Sequence, residues 1–271
     1  MKIFTKSEKK ACHCGASSGN LAEPKKQEEQ PQGKHTDMKK ALLTLAIVTV
    51  AAVAARADIV DAWDVSGHGS PADATLTAST INPALNTGAT LNTLSRTGVT
   101  AASAGNSFSS TGWNTGAFDQ TVKFDTFTIS PNSNITLTDL QFAMNGSNTA
   151  PNQGLWGYSI DGGSFVFGTA GDGGAFTLTN PAPAGLATWN FGDFSVTSSD
   201  TVEFRFWAFG STAINSTAAA ASTGTVRIAN FSGNDLVLNG TAAAIPEPAT
   251  VGLIGLGLAG VVAFARRRSS K

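Results

Sequence analysis

The sequence predicts a mainly β protein: an antiparallel β-sandwich or jelly roll over residues 58–244, with an N-terminal signal helix and a C-terminal hydrophobic helix. Three observations predict it. Between residues 58 and 245 no apolar stripe of helical period runs for a useful length, whereas alternating runs rich in β-branched and aromatic residues recur. Gly, Asn, Asp and Pro clusters separate those runs at short intervals. The long unbroken apolar stretches, 41–54 and 249–265, stand at the two ends beside basic residues.

Residues 1–37 are polar and rich in Lys, Glu and Gln, a composition that cannot bury a core and reads as disorder. Met38-Lys39-Lys40 then opens a charged n-region, residues 41–54 form a 14-residue apolar core, and Ala55-Arg56-Ala57 supplies an A-x-A cleavage site. This is the secretory signal pattern, and its apolar core is short for a membrane span of ~20 residues. Translation is expected to start at Met38, with 1–37 a mis-called start; a long n-region is the alternative. Cys12-His13-Cys14 and His35 fit no usual zinc spacing and fall in the segment expected to be lost. No Cys follows residue 57, so the exported protein is built without disulfides.

The passenger, 58–245, carries four basic residues against thirteen acidic ones, a net charge of −9, which excludes the basic footprint of a nucleic-acid binder. Residues 66–118, rich in Ala, Ser, Thr, Gly and Asn, hold the first strands and long loops without marking their limits. Strands are expected at Thr121–Ser130, Asn134–Met144, Leu155–Ile160, Ser164–Gly168, Ala187–Val196, Thr201–Phe209, Gly224–Phe231 and Asp235–Leu238. Asp161-Gly162-Gly163 supplies the positive φ angles of a hairpin. Residues 211–223 read as a flexible loop.

Chemistry is thinly marked. His68, between Gly67 and Gly69, is the one passenger His and sits in a loop, so a Ser/His/Asp triad is not expected. Glycoside hydrolysis needs two carboxyls flanking the bond. Glu203 and twelve Asp are available, but nothing marks a pair, and turn capping accounts for most of the Asp. No cofactor is expected. Asp161 and Asp172, in Gly-rich turns, offer oxygen ligands of the kind Ca²⁺ takes, or simply two tight turns. In 201–209, alternation puts Val202, Phe204, Phe206 and Ala208 on one face and Glu203, Arg205, Trp207 and Phe209 on the other. The second set is either a sugar-stacking surface or a covered ion pair with a packed Trp.

At the C-terminus, Pro246-Glu247-Pro248 is stiff and extended, because neither proline donates a backbone hydrogen bond and each restricts its predecessor. Residues 249–265 are uncharged and mostly apolar, the short end of a membrane helix, with Gly252, Gly255, Gly257 and Gly260 suiting close approach to another helix. Arg266-Arg267-Arg268 then keeps the terminus in the cytoplasm. These three parts, in this order over 245–271, resemble the PEP-CTERM sorting signal of bacterial surface proteins. The resemblance implies an exosortase-type partner, cleavage near Pro246-Glu247-Pro248 and release from the inner membrane of a Gram-negative-type bacterium. It also implies a destination at the cell surface or in an exopolysaccharide biofilm matrix. The passenger's order of pieces is similar to a recurrent passenger of that family at Trp113, Tyr158, Asp161, Phe165, Phe204, Arg205 and Asn239, which supports a sandwich and no activity. The expectation is a non-enzymatic, structural or polysaccharide-associated protein; a carbohydrate-active hydrolase and a permanently anchored envelope protein are the alternatives.

Overall fold

A computed structural model describes residues 58–70, 73–181 and 185–242. The signal segment with Ala55 and Ala57, Cys12, His13, Cys14 and His35, and the C-terminal helix with Pro246–Pro248 and Arg266–Arg268 lie outside them. The described residues are mainly β, with no helix.

The strands are β1 (Asp58–Trp63), β2 (Leu76–Thr77), β3 (Thr80–Ile81), β4 (Thr93–Thr97), β5 (Thr100–Ala101), β6 (Ser107–Thr111), β7 (Phe124–Ile129), β8 (Ile135–Phe142), β9 (Met144–Gly146), β10 (Pro151–Ile160), β11 (Val166–Phe167), β12 (Ala175–Thr177), β13 (Ala187–Trp189), β14 (Phe194–Val196), β15 (Val202–Ala213), β16 (Thr225–Ala229) and β17 (Leu236–Ala242). All their pairings are antiparallel. A six-stranded sheet runs β13-β8-β17-β1-β3, with β14 also on β8. A seven-stranded sheet runs β11-β10-β15-β7-β4-β2, with β12 also on β10. A four-stranded sheet runs β5-β6-β16-β9.

The two larger sheets face each other through aromatic rings. Trp63 of β1 meets Phe127 of β7 with centroids 4.5 Å apart, and Tyr158 of β10 stacks on Phe194 of β14 at 4.5 Å. Phe142 of β8 touches Trp156 of β10 at 5.7 Å. Alternation with one register shift delivers these rings: β8 buries Ile135 and Leu137, then, past the irregularity at Thr138 and Asp139, Leu140 and Phe142, while Thr136 and Gln141 stay half-exposed. Each large side chain buried this way contributes roughly 1.5–3 kcal/mol, so packing can hold a fold that has no cystine after residue 57.

Several boundaries differ from expectation. The hairpin forms where Asp161 and Gly162 take φ 51° and 67°, with Tyr158 opposite Val166. The run 187–196 splits into β13 and β14, because Gly192 takes φ 72° and its N–H is held by Asn190 Oδ1 at 3.2 Å. Residues 211–223 are not a loose loop. Strand β15 continues to Ala213, and backbone bonds from Ala213 to Ala218, Ala220 to Ser211 and Ala221 to Thr149 close the turn behind it. The unplaced segment 66–118 holds β2 to β6.

Candidate functional site

Strand β15 is central in the seven-stranded sheet, flanked by β10 and β7, and both its faces are covered over part of its length. Val202, Phe204, Phe206 and Ala208 enter the core between the sheets. On the outer face, Trp207 is the centre of a second aromatic cluster. Phe118, Phe124, Phe165 and Phe167 approach it edge-on, with centroids 5.6, 6.0, 5.4 and 5.7 Å away. Phe118 comes from the loop between β6 and β7, which is tied to β15 by the Gly210 N–H to Gly116 O bond at 3.0 Å. Gly157 of β10 makes the close approach feasible: a Cβ there would lie 3.0 Å from Phe167 and 3.1 Å from Trp207.

Arg205 and Glu203 form a bidentate pair beside this cluster. Arg205 Nε donates to Glu203 Oε1 at 2.7 Å, and a second guanidinium nitrogen donates to Oε2 at 3.0 Å. The guanidinium lies over the Phe124 and Phe165 rings at 4.0 and 4.5 Å. Thr126 donates to Glu203 Oε1 at 3.1 Å, so the carboxylate is held from two strands. Such a fork is geometrically rigid and charge-assisted.

Of the three residues singled out as a sugar-stacking surface, Glu203 and Arg205 are half-buried neighbours. Trp207 is only 1% exposed and cannot present a face to a ring. Of the two alternatives for this face, the burial of Trp207 agrees with the packed one: the alternation places it on the outer face, and residues distant in sequence cover it there. Half-exposed there are Phe118, Phe165, Phe167 and Phe209.

The remaining candidates act as turn formers. Asp161 Oδ1 accepts from Thr201 N at 2.8 Å and ties the hairpin tip to the entrance of β15. Asp172 Oδ1 accepts from Thr169 N at 2.7 Å and Gly174 N at 2.9 Å. The two carboxylates cap separate turns, and among the described residues no group of three or more His, Cys, Asp or Glu is arranged for a metal ion. His68 Nδ1 lies 3.7 Å from Asp73 Oδ2 on an exposed loop. The N–H groups of Gly69 and Ser70 hold the Asp73 carboxyl below its ordinary range.

Sequence reasoning missed the buried charges. Asp61, Asp125 and Asp235 are all 2% exposed or less. Asp235 accepts from Val65 N at 2.9 Å and Phe231 N at 2.6 Å, fixing the turn into β17. Asp125 accepts from Ser110 Oγ at 2.9 Å, and Ser110 Oγ accepts from Arg96 Nε at 2.9 Å. Arg96 lies 3.6 Å over Phe108 and donates to the carbonyls of Asp73, Ala74 and Ser109. Burial, against the Arg96 charge and the Ser110 bond, pushes Asp125 up to about 7. The available signal was an Asp inside an otherwise apolar or alternating strand, as in DIVDAW and FDTFTI.

A shallow groove lies at the end of the six-stranded sheet where β17 stops, lined by Ile135, Thr136, Val196, Thr241 and Ala242 among others. Two residues after Ala242, the chain enters a segment that matches a family model. The PEP-CTERM protein-sorting motif spans residues 244–268. The chain therefore carries this motif directly behind its last described strand, and the motif implies export with sorting through the C-terminus by an exosortase-type enzyme. Comparisons with curated proteins and with solved structures found no match.

Proposed function

We propose that the chain is an exported structural protein of the bacterial surface or extracellular matrix. In this reading the 58–242 region is a non-enzymatic β-sandwich passenger, and the 245–271 region is a removable membrane tether. The observation that carries the reading is the adjacency of the last strand, β17, to the sorting motif at 244–268. All described core residues precede Pro246-Glu247-Pro248, so a cut near that motif removes none of them. The same logic holds at the other end, where β1 begins at Asp58, the residue after the A-x-A site. Signal cleavage after Ala57 would leave the first strand whole.

For the passenger we infer association with polysaccharide at the outer face of the seven-stranded sheet. Half-exposed phenylalanines, Phe165 and Phe167 foremost, would stack on sugar rings while the Glu203–Arg205 fork bonds hydroxyls. Trp207 serves this surface from beneath, as the packed layer that fixes the rings. Aromatic faces beside well-held polar groups are suited to amphipathic ligands. The test is retention of the full chain on exopolysaccharide from the producing cells. Phe165→Ala should weaken retention at least tenfold while the chain remains folded. Retention of the variant equal to that of a retained wild type would move the contact away from Phe165, and a wild type that is not retained would remove polysaccharide from the reading and leave a coat protein.

A further inference from the structure

Asp61 and Asn92 are completely buried. Asp61 belongs to β1, and Asn92 immediately precedes β4 in a left-handed conformation, φ 56°, that Asn tolerates better than most residues. Asn92 is fixed by its N–H to Thr128 O and by Ala78 N–H to its own carbonyl, both at 2.8 Å. Its Nδ2 donates to Asp61 Oδ2 at 2.9 Å. That leaves one oxygen on each group, Asp61 Oδ1 and Asn92 Oδ1, buried with no hydrogen-bond donor.

Two orphaned acceptors on two groups already joined by one bond have a simple common remedy. An ionised Asp61 would bury a charge and leave both of these oxygens unsatisfied, each of which is costly away from water. One proton on Asp61 Oδ1, donated to Asn92 Oδ1, satisfies both atoms with a second bond parallel to the first. We propose that Asp61 is a neutral carboxylic acid in the folded passenger. It forms with Asn92 a two-point acid–amide clasp between the first strand of one sheet and the entry to β4 of the other, and alkaline surroundings loosen this clasp.

Among the described residues, no charged group is free to compete for Asp61. In the ladder Asp61 lies opposite Leu238 of β17 and Ile81 of β3, and neither of those strands nor β2 carries an ionisable residue. On β1 itself Asp58 is exposed. On β7, Asp125 is bonded to Ser110, and on β4, Arg96 is bonded to Ser110 and to backbone carbonyls. Asp235, ahead of β17, is held by two backbone N–H groups. Burial, opposed by the bonds from Asn92 and Ala62, raises the Asp61 carboxyl from 3.8 to about 7. An acid whose folded value is raised takes up a proton on folding. Its stabilisation is fully present below about 4 and is lost as pH rises to about 7, by up to tenfold in the folding constant per pH unit. For a passenger exported as proposed above, the clasp would tighten in acid.

The experiment is denaturant unfolding of the purified full chain, followed by tryptophan fluorescence from pH 4 to pH 8, with Asp61→Asn beside the wild type. An amide at position 61 donates to Asn92 Oδ1 and accepts from Asn92 Nδ2 without titrating. The variant should fold, and the wild-type to variant ratio of folding constants should fall by roughly a thousandfold over that range. The subtraction isolates Asp61 from Asp125, which remains in both proteins. Infrared difference spectra at pH 5.5 (about that value suffices, lying between the two protonation limits) should show a protonated-carboxyl band that Asp61→Asn lacks. Parallel pH profiles, an identical carboxyl band in both proteins, or a variant that cannot fold would overturn the clasp.

Discussion

Trp207 and Arg96 show how one side chain can hold several elements. Trp207 touches rings from β7, from the β10–β11 hairpin and from the loop that carries Phe118. Replacing it by Ala should lower unfolding free energy by about 3–5 kcal/mol, the range for emptying a buried aromatic position. Denaturant titration of the full chain would measure this, and a loss under 1 kcal/mol (about the size of a surface change) would mean that the cluster is not a packed unit. Arg96→Ala removes the bond to Ser110 and the bonds to three carbonyls and leaves Asp125 without its nearby cation, and should lower stability by about 1–3 kcal/mol above pH 7, where Asp125 is ionised. The loss should shrink as pH falls below about 7, where Asp125 becomes protonated and needs the cation less. The sequence shows which face of β15 Trp207 occupies, because alternation is local. It does not show that residues 118, 124, 165 and 167 arrive above it, because that depends on the sheet order. Asp61 and Asp125 were legible only as acids out of place in apolar or alternating runs. What they bond to lies 31 and 15 residues away in the chain.

At the scale of elements, long alternating strands were legible and short ones were not. TVEFRFWAF and NITLTDLQF each bury enough alternate side chains to show their period. Strands β2, β3 and β5 are two residues long, shorter than one full alternation, and their existence depends on partners across the sheet. The split between β13 and β14 hinges on one glycine with positive φ, which no periodicity could show. Gly240 is a further such point. It sits at the register shift between β17 and β8, and a Cβ there would fall on the backbone oxygen of Thr136 and the Val60 side chain. Gly240→Ala should therefore separate β17 from its neighbour and lower stability by about 1–3 kcal/mol. Hydrogen exchange should show faster opening of β8 and β17 first. Asp161→Ala removes the bond from the hairpin tip to Thr201 and should lower stability by about 1 kcal/mol; it should leave the β10–β15 ladder in register, because nine aligned residue pairs define it.

For the whole molecule, the C-terminal motif and the middle were legible for different reasons. A signal read by an enzyme as a linear stretch must be visible in linear sequence, and the sorting motif is found at 244–268. The surfaces of the middle are assembled from distant residues, so composition and alternation reach its sheets but not what those surfaces do. That difference decides which property of the whole chain is testable first. A processed protein recovered from the cell surface or medium should have an intact mass running from Asp58 to a C-terminus within Ile245–Pro248. Replacing Pro246, Glu247 and Pro248 together by Ala should leave the β-sheets unchanged, since every described strand ends by Ala242. It should shift the recovered mass upward by the uncut tail. If the wild-type protein itself retains residues 249–271, the segment is a permanent tether, and the passenger works within reach of the membrane. From Ala242 to Thr250 there are only eight peptide links. At about 3.3–3.6 Å per residue this allows at most roughly 30 Å of reach, too little to place the passenger in a distant matrix. The same mass spectrum thus separates release from tethering, and with it a matrix component from an envelope component.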